Sequence, residues 1–180
     1  MLFALLAACR PERVENPHAK HVRTGDPVVE RDTTMNVAPE AVVHARDGSQ
    51  YDLAQLWATK RVVLVFYMGH WCPHCQKQLG DLNEHQKEFA DLGATIVAIS
   101  SDSATDAEAL HDRMKLGFEL YVDPDLSTIA RWGVENYDTN IARPATFIIE
   151  PGGAISYRRV SQTATDRPST DEVLAALRTQ

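Results

Sequence analysis

The chain has 180 residues, and its 18 basic side chains are scattered among 25 acidic ones, for a formal net charge of −7. That balance argues against a nucleic-acid surface, and three cysteines are too few for a disulfide scaffold. An apolar fraction of 44% suits one ordinary globular core, and there is no internal repeat and no apolar span long enough for a mature bilayer helix.

Residues 1–8, MLFALLAA, form an apolar run that ends in small side chains just before Cys9. This is the layout of a secretory segment with its cleavage site. Leu6-Ala7-Ala8-Cys9 also resembles the lipobox of bacterial lipoproteins. That resemblance implies a lipid on Cys9 and a place in the cell envelope, anchored on the extracytoplasmic, periplasmic side. The alternative is an apolar segment that packs on the domain of a cytoplasmic protein. Residues 9–36 are polar, hold Pro11, Pro17, Gly25 and Pro27, and show no period, so they are expected to form a tether.

The domain is expected over residues 37–180. Ala41–Ala45 predicts a short strand turned by Asp47-Gly48, and Asp52 is placed to cap a short helix over 53–58. Arg61–Tyr67, apolar without alternation, predicts a strand buried on both faces. After it, apolar positions at three- and four-residue spacing predict a helix running to Leu92-Gly93. Thr95–Ser100 predicts another buried strand, and Asp102 or Ser103 caps a helix over 106–116. Phe118–Val122 predicts a strand, Leu126–Trp132 a short helix, Ala145–Ile149 and Ala154–Val160 a hairpin, and Thr170–Arg178 a last helix. Strands alternating with helices require parallel pairing with crossovers, and the hairpin adds an antiparallel pair. The fold class is therefore α/β, a thioredoxin-like fold with a mixed central sheet and helices on both faces.

The chemistry concentrates at Cys72-Pro73-His74-Cys75, where the buried strand passes through Met68-Gly69-His70-Trp71 into a helix. Cysteines at i and i+3 share one face of the first helical turn, near unpaired N–H groups and the positive end of the dipole. A thiolate there is stabilised, and a second thiol can resolve the mixed disulfide that the first one forms. Cys72 and Cys75 are the expected catalytic pair. His74 is expected to add a donor beside the thiolate, and Trp71 to line the apolar rim. A metal site is the competing reading, with His70, Cys72, His74 and Cys75 offering nitrogen and sulfur, but ligands so crowded on one turn seldom close a tetrahedron. No metal or other cofactor is expected.

Four segments resemble the peroxiredoxin-like branch of the thioredoxin superfamily, the alkyl hydroperoxide reductase and thiol-specific antioxidant group. They are VVLVFYMGHWCPHC, TIVAISSDS, LYVDPDLSTIARWGV and RPATFIIEPGG. By that resemblance Met68 stands where peroxiredoxins carry a proline, Cys72 where they carry a threonine, and Cys75 at the peroxidatic position. Thioredoxin logic instead makes Cys72 the attacking thiol. The superfamily also implies a cis proline facing the cysteines at Pro144, with Arg143 placed to stabilise a thiolate or oxyanion. The implied activity is antioxidant reduction of hydroperoxides, with electrons from a thioredoxin-type protein thiol donor. Exchange with envelope protein disulfides and a non-enzymatic Cys/His metal chaperone are the alternatives.

Overall fold

Val62–Phe66 of the unbroken apolar run are fully buried and form the middle of the sheet. The computed structural model describes residues 35–179; the apolar N-terminal run, Cys9 and most of the expected tether lie outside them. In chain order the described strands are β1 (Val42–His44), β2 (Gln50–Asp52), β3 (Arg61–Phe66), β4 (Ala94–Ser100), β5 (Glu119–Val122), β6 (Glu135–Asn136), β7 (Ile141–Ala142), β8 (Ala145–Ile149) and β9 (Ile155–Val160). The helices are α1 (Ala54–Trp57), α2 (Pro73–Glu84), α3 (Gln86–Asp91), α4 (Ala104–Met114), α5 (Ser127–Arg131) and α6 (Thr170–Arg178). No described helix is long and apolar enough to cross a membrane.

Seven strands form one sheet in the order β2-β1-β5-β4-β3-β8-β9, and β6 and β7 form a separate small ladder. β3, β4 and β5 run parallel, while β1, β8 and β9 pair antiparallel to their neighbours. Both faces are covered, which is why the central strands lack polar alternation. Leu79, Leu82, Phe89, Leu110, Val173 and Leu177 bring α2, α3, α4 and α6 onto one face. Trp57 of α1 and Trp132 after α5 pack on the other, where Trp132 meets Phe66 and Phe147 in tilted and edge-on ring contacts.

Register decides where the thiols lie. Phe66 is opposite Ala145, and Ala145 is opposite Val160. The end of β3, the start of β8 and the end of β9 therefore stand at one level of the sheet. The segment after β3, residue Pro144 and the loop after β9 all leave the sheet at that edge.

Two local expectations are corrected, and the choice between two caps is resolved. The helix after the cysteines breaks at His85, which leaves helical geometry (φ −105°, ψ 13°) and divides α2 from α3. Ser103, not Asp102, caps α4 by accepting the Asp106 N–H. Asp52 does accept the Ala54 N–H at 2.9 Å, but α1 is only one turn long.

Candidate active site

Cys72 is the N-cap of α2 and Pro73 opens its first turn, where a missing N–H leaves no bond unmade. The Cys75 N–H donates to Cys72 Sγ at 3.3 Å, so the first sulfur does the capping that an oxygen usually does. Both cysteines are free thiols, 3% and 0% exposed. Cys75 Sγ accepts the Met68 N–H at 3.4 Å, and the Met68 thioether lies 4.0 Å from Cys72 Sγ. Burial, then the neighbouring Cys72 side chain, pushes the Cys75 thiol up to about 11, against the opposing pull of Arg167 and the Met68 N–H.

Arg167 is the charge at the site. It lies in the loop between β9 and α6, and its Nη2 is 3.3 Å from Cys75 Sγ and 3.8 Å from Cys72 Sγ. The other guanidinium nitrogens are held: Nη1 donates to Gln78 Oε1 at 2.8 Å and Nε to Ala164 O at 3.1 Å. The loop is braced in turn. Ser161 N–H donates to Pro144 O at 2.8 Å, and Asp166 accepts from Gln162 N–H at 3.1 Å and pairs with Arg159. A planar cation fixed on two sides, with its remaining nitrogen aimed at sulfur, is a preorganised anion partner.

A second brace holds the turn before the thiols. Asp102, at the end of β4, is buried and accepts the His70 N–H at 2.7 Å and the Ser100 hydroxyl at 2.9 Å. His70 Nδ1 lies 3.0 Å from its other oxygen. From the opposite side the Gln76 amide donates to His70 O at 2.7 Å. Gly69 sits between these contacts. A Cβ there would come within 2.6 Å of Trp71 Nε1 and 3.1 Å of Asp102 Oδ1, so any larger residue would displace the Trp71 ring.

The structure brings Cys72 and Cys75 together as expected and redistributes the rest. Trp71 stands beside the pair but is 54% exposed. His74 is exposed and lines a groove along α2, with no described hydrogen bond to either thiol. Arg143 donates from Nη2 to Gly133 O at 2.6 Å and from its N–H to Val134 O at 2.6 Å. The Arg143–Pro144 bond is trans, since no described peptide is cis. The chain reaches β8 already tied by the Arg143 N–H on one side and the Pro144 carbonyl on the other. Pro144 still belongs to the site, as the anchor of the arginine loop. Among the described residues no three His, Cys, Asp or Glu side chains are arranged to hold a metal ion, and His70 is committed to Asp102.

Arg167 and Asp102 were not expected here. Asp102 had a sequence signal, as a carboxylate just past a buried strand, but one shared by every helix cap. Arg167 had none, because its contact with Cys75 spans 92 positions.

A thiol pair at the end of a central parallel strand, on the first turn of a helix crossing a mixed sheet, defines a thioredoxin-fold redox domain. The AhpC/TSA family matches residues 34–158, more than half of the chain, and the chain belongs to that family. A Mycobacterium tuberculosis protein whose name places it among the peroxiredoxins is 28% identical over 139 residues, 74% of this chain and 88% of its own length. Alkyl hydroperoxide reductase C of Staphylococcus haemolyticus is 25% identical over 129 residues, 69% of this chain and 66% of its own length. Among solved structures, peroxidoxin BcpB of Mycobacterium tuberculosis superposes with a TM-score of 0.72 at 24% identity, over 80% of this chain and 95% of that one. The family match holds both cysteines and Asp102 but ends before Arg167.

If Asp102 holds the turn, Asp102→Ala destabilises the fold by about 2–3 kcal/mol, the scale of hydrogen bonds to a charged acceptor. It also weakens the Met68 N–H contact with Cys75. Chemical denaturation and the pH profile of Cys75 alkylation, measured together, check both effects.

Proposed function

We propose that this chain is a thiol peroxidase in which Cys72 attacks a hydroperoxide and Cys75 resolves the product. One observation carries the choice of substrate: the two cysteines are 3% and 0% exposed beneath Arg167. Burial of the reduced pair favours a small peroxide over the disulfide of a folded protein as its oxidant. Membership of the AhpC/TSA family and the peroxiredoxin names among its relatives support the same reading.

The assignment of roles follows from electrostatics. Cys72 Sγ accepts the Cys75 N–H at the positive end of α2. Burial pushes the Cys75 thiol up, which makes it the poorer nucleophile of the two. The Cys72 thiolate takes the terminal oxygen of the hydroperoxide and the O–O bond breaks. The leaving alkoxide takes a proton, and Arg167 lies where that developing charge needs a cation. The Cys72 sulfenic acid condenses with the Cys75 thiol, releasing water and forming the disulfide. An external dithiol, of the thioredoxin type, returns the pair to its reduced state by exchange.

Peroxide consumption with dithiothreitol as reductant, run beside insulin reduction, tests this reading. Wild type is expected to consume peroxide and to reduce insulin poorly. Cys72→Ser abolishes peroxide turnover, and Arg167→Ala lowers it about a hundredfold with partial recovery in Arg167→Lys. In Cys72→Ser the remaining Cys75 alkylates only as the pH rises through the alkaline range. Full peroxidase activity in Cys72→Ser, or insulin reduction faster than peroxide turnover, contradicts the reading.

We further propose that Cys9 carries a lipid and holds the domain on the outer face of a bacterial membrane; Leu6-Ala7-Ala8-Cys9 supports this reading. Labelling with a palmitate analogue in a bacterial host is expected to mark wild type and not Cys9→Ala. Label in neither, with both proteins in the soluble fraction, overturns it.

A further inference from the structure

A groove of about 250 Å³ lies between α2 and the arginine loop. One wall is the α2 face of His74, Lys77, Gln78 and Asp81, spaced at three and four residues. That face is about 10 Å long at the helical rise. The groove ends at Arg167, which lines it and also approaches Cys75 Sγ at 3.3 Å. Neither cysteine lines the groove, so Arg167 is the residue that joins it to the thiol pair.

The groove differs from the rest of the molecule in charge. The chain carries a net charge of −7. Here Arg167 and Lys77, with the His74 imidazole beside them, face the single carboxylate of Asp81, which Lys77 already pairs at 2.6 Å. Hydroxyls of Thr146, Thr165 and Thr170 line the groove, and Leu82 and Val173 give it a short apolar floor. Its volume lies below the roughly 300–1,000 Å³ of sites for drug-sized ligands. It is too small for a long lipid chain or a folded partner and suits a short acyl chain ending in an anion.

We propose that this groove binds the carboxylate tail of a short organic hydroperoxide, so that anionic alkyl hydroperoxides are preferred substrates of the thiol pair. The inference rests on the peroxidase reading and adds a substrate class to it. The carboxylate sits among Lys77 and His74, the chain covers Leu82 and Val173, and the hydroperoxide group lies at Arg167. Transfer of the terminal oxygen to sulfur then leaves the matching hydroxy acid in the groove as product.

The test compares kcat/KM for 6-hydroperoxyhexanoate, hexyl hydroperoxide and hydrogen peroxide, with dithiothreitol as reductant. Wild type is expected to prefer the carboxylate over its neutral partner by about fivefold, mostly through KM, the scale of an exposed charge pair. The preference fades at high salt. It disappears in Lys77→Glu, judged by the ratio of the two organic substrates within that variant, and hexanoate competes with the carboxylated hydroperoxide. Lys77 has a 74% exposed side chain, so the substitution does not disturb the core. Equal kcat/KM for the two organic hydroperoxides in wild type, or a preference that survives Lys77→Glu, overturns the inference while leaving the peroxidase reading intact. Failure to consume any of the three, hydrogen peroxide included, overturns the peroxidase reading and the groove assignment with it.

Discussion

A sulfur buried at a helix start can carry negative charge only if donors converge on it, and that requirement organises this molecule. Water cannot solvate Cys72 and Cys75, since they are nearly inaccessible. The compensation comes from three parts of the chain. The first turn of α2 supplies the Cys75 N–H to Cys72, the C-terminal loop brings the Arg167 guanidinium to both sulfurs, and the preceding turn gives the Met68 N–H to Cys75. Each is held by a partner of its own: Asp102 and Gln76 fix the turn, while Gln78, Ala164 and Asp166 fix the arginine loop.

The sheet makes this convergence geometrically available. β3 ends beside the start of β8 and the end of β9, so elements distant in sequence leave the sheet at one edge. Ligands of open α/β sheets gather at the carboxyl ends of the strands for this reason. Arg143, just before β8, is nearer to the cysteines in sequence, and its Nη2 donates to the Gly133 carbonyl. The cation that reaches the sulfurs comes from beyond the family-matched residues.

Much of this was legible in the sequence, for identifiable reasons. Continuous apolar runs at Arg61–Phe66 and Ala94–Ser100 mark strands covered on both faces, and the cysteine spacing marks the helix start. What escaped depends on long-range partners or on competition between local ones. Arg167 is an ordinary loop arginine until the sheet brings it to Cys75. Asp102 and Ser103 are equally good caps by type, and burial decided that Asp102 would serve His70 instead. The bond at Pro144 is trans where a cis bond was expected, and backbone hydrogen bonds from Arg143 to Val134 and from Ser161 to Pro144 hold the segment on either side. The short β6–β7 ladder has too few residues to show a period.

The central claim is that the electrostatics of the helix start, rather than a peroxiredoxin register, selects the attacking sulfur. It is tested by adding one equivalent of hydrogen peroxide to the reduced protein in the presence of dimedone and locating the adduct by peptide mass spectrometry. The account predicts a sulfenic acid adduct on Cys72, enriched when Cys75→Ser removes the resolving thiol. An adduct on Cys75 in the wild-type protein, at neutral pH, would contradict it.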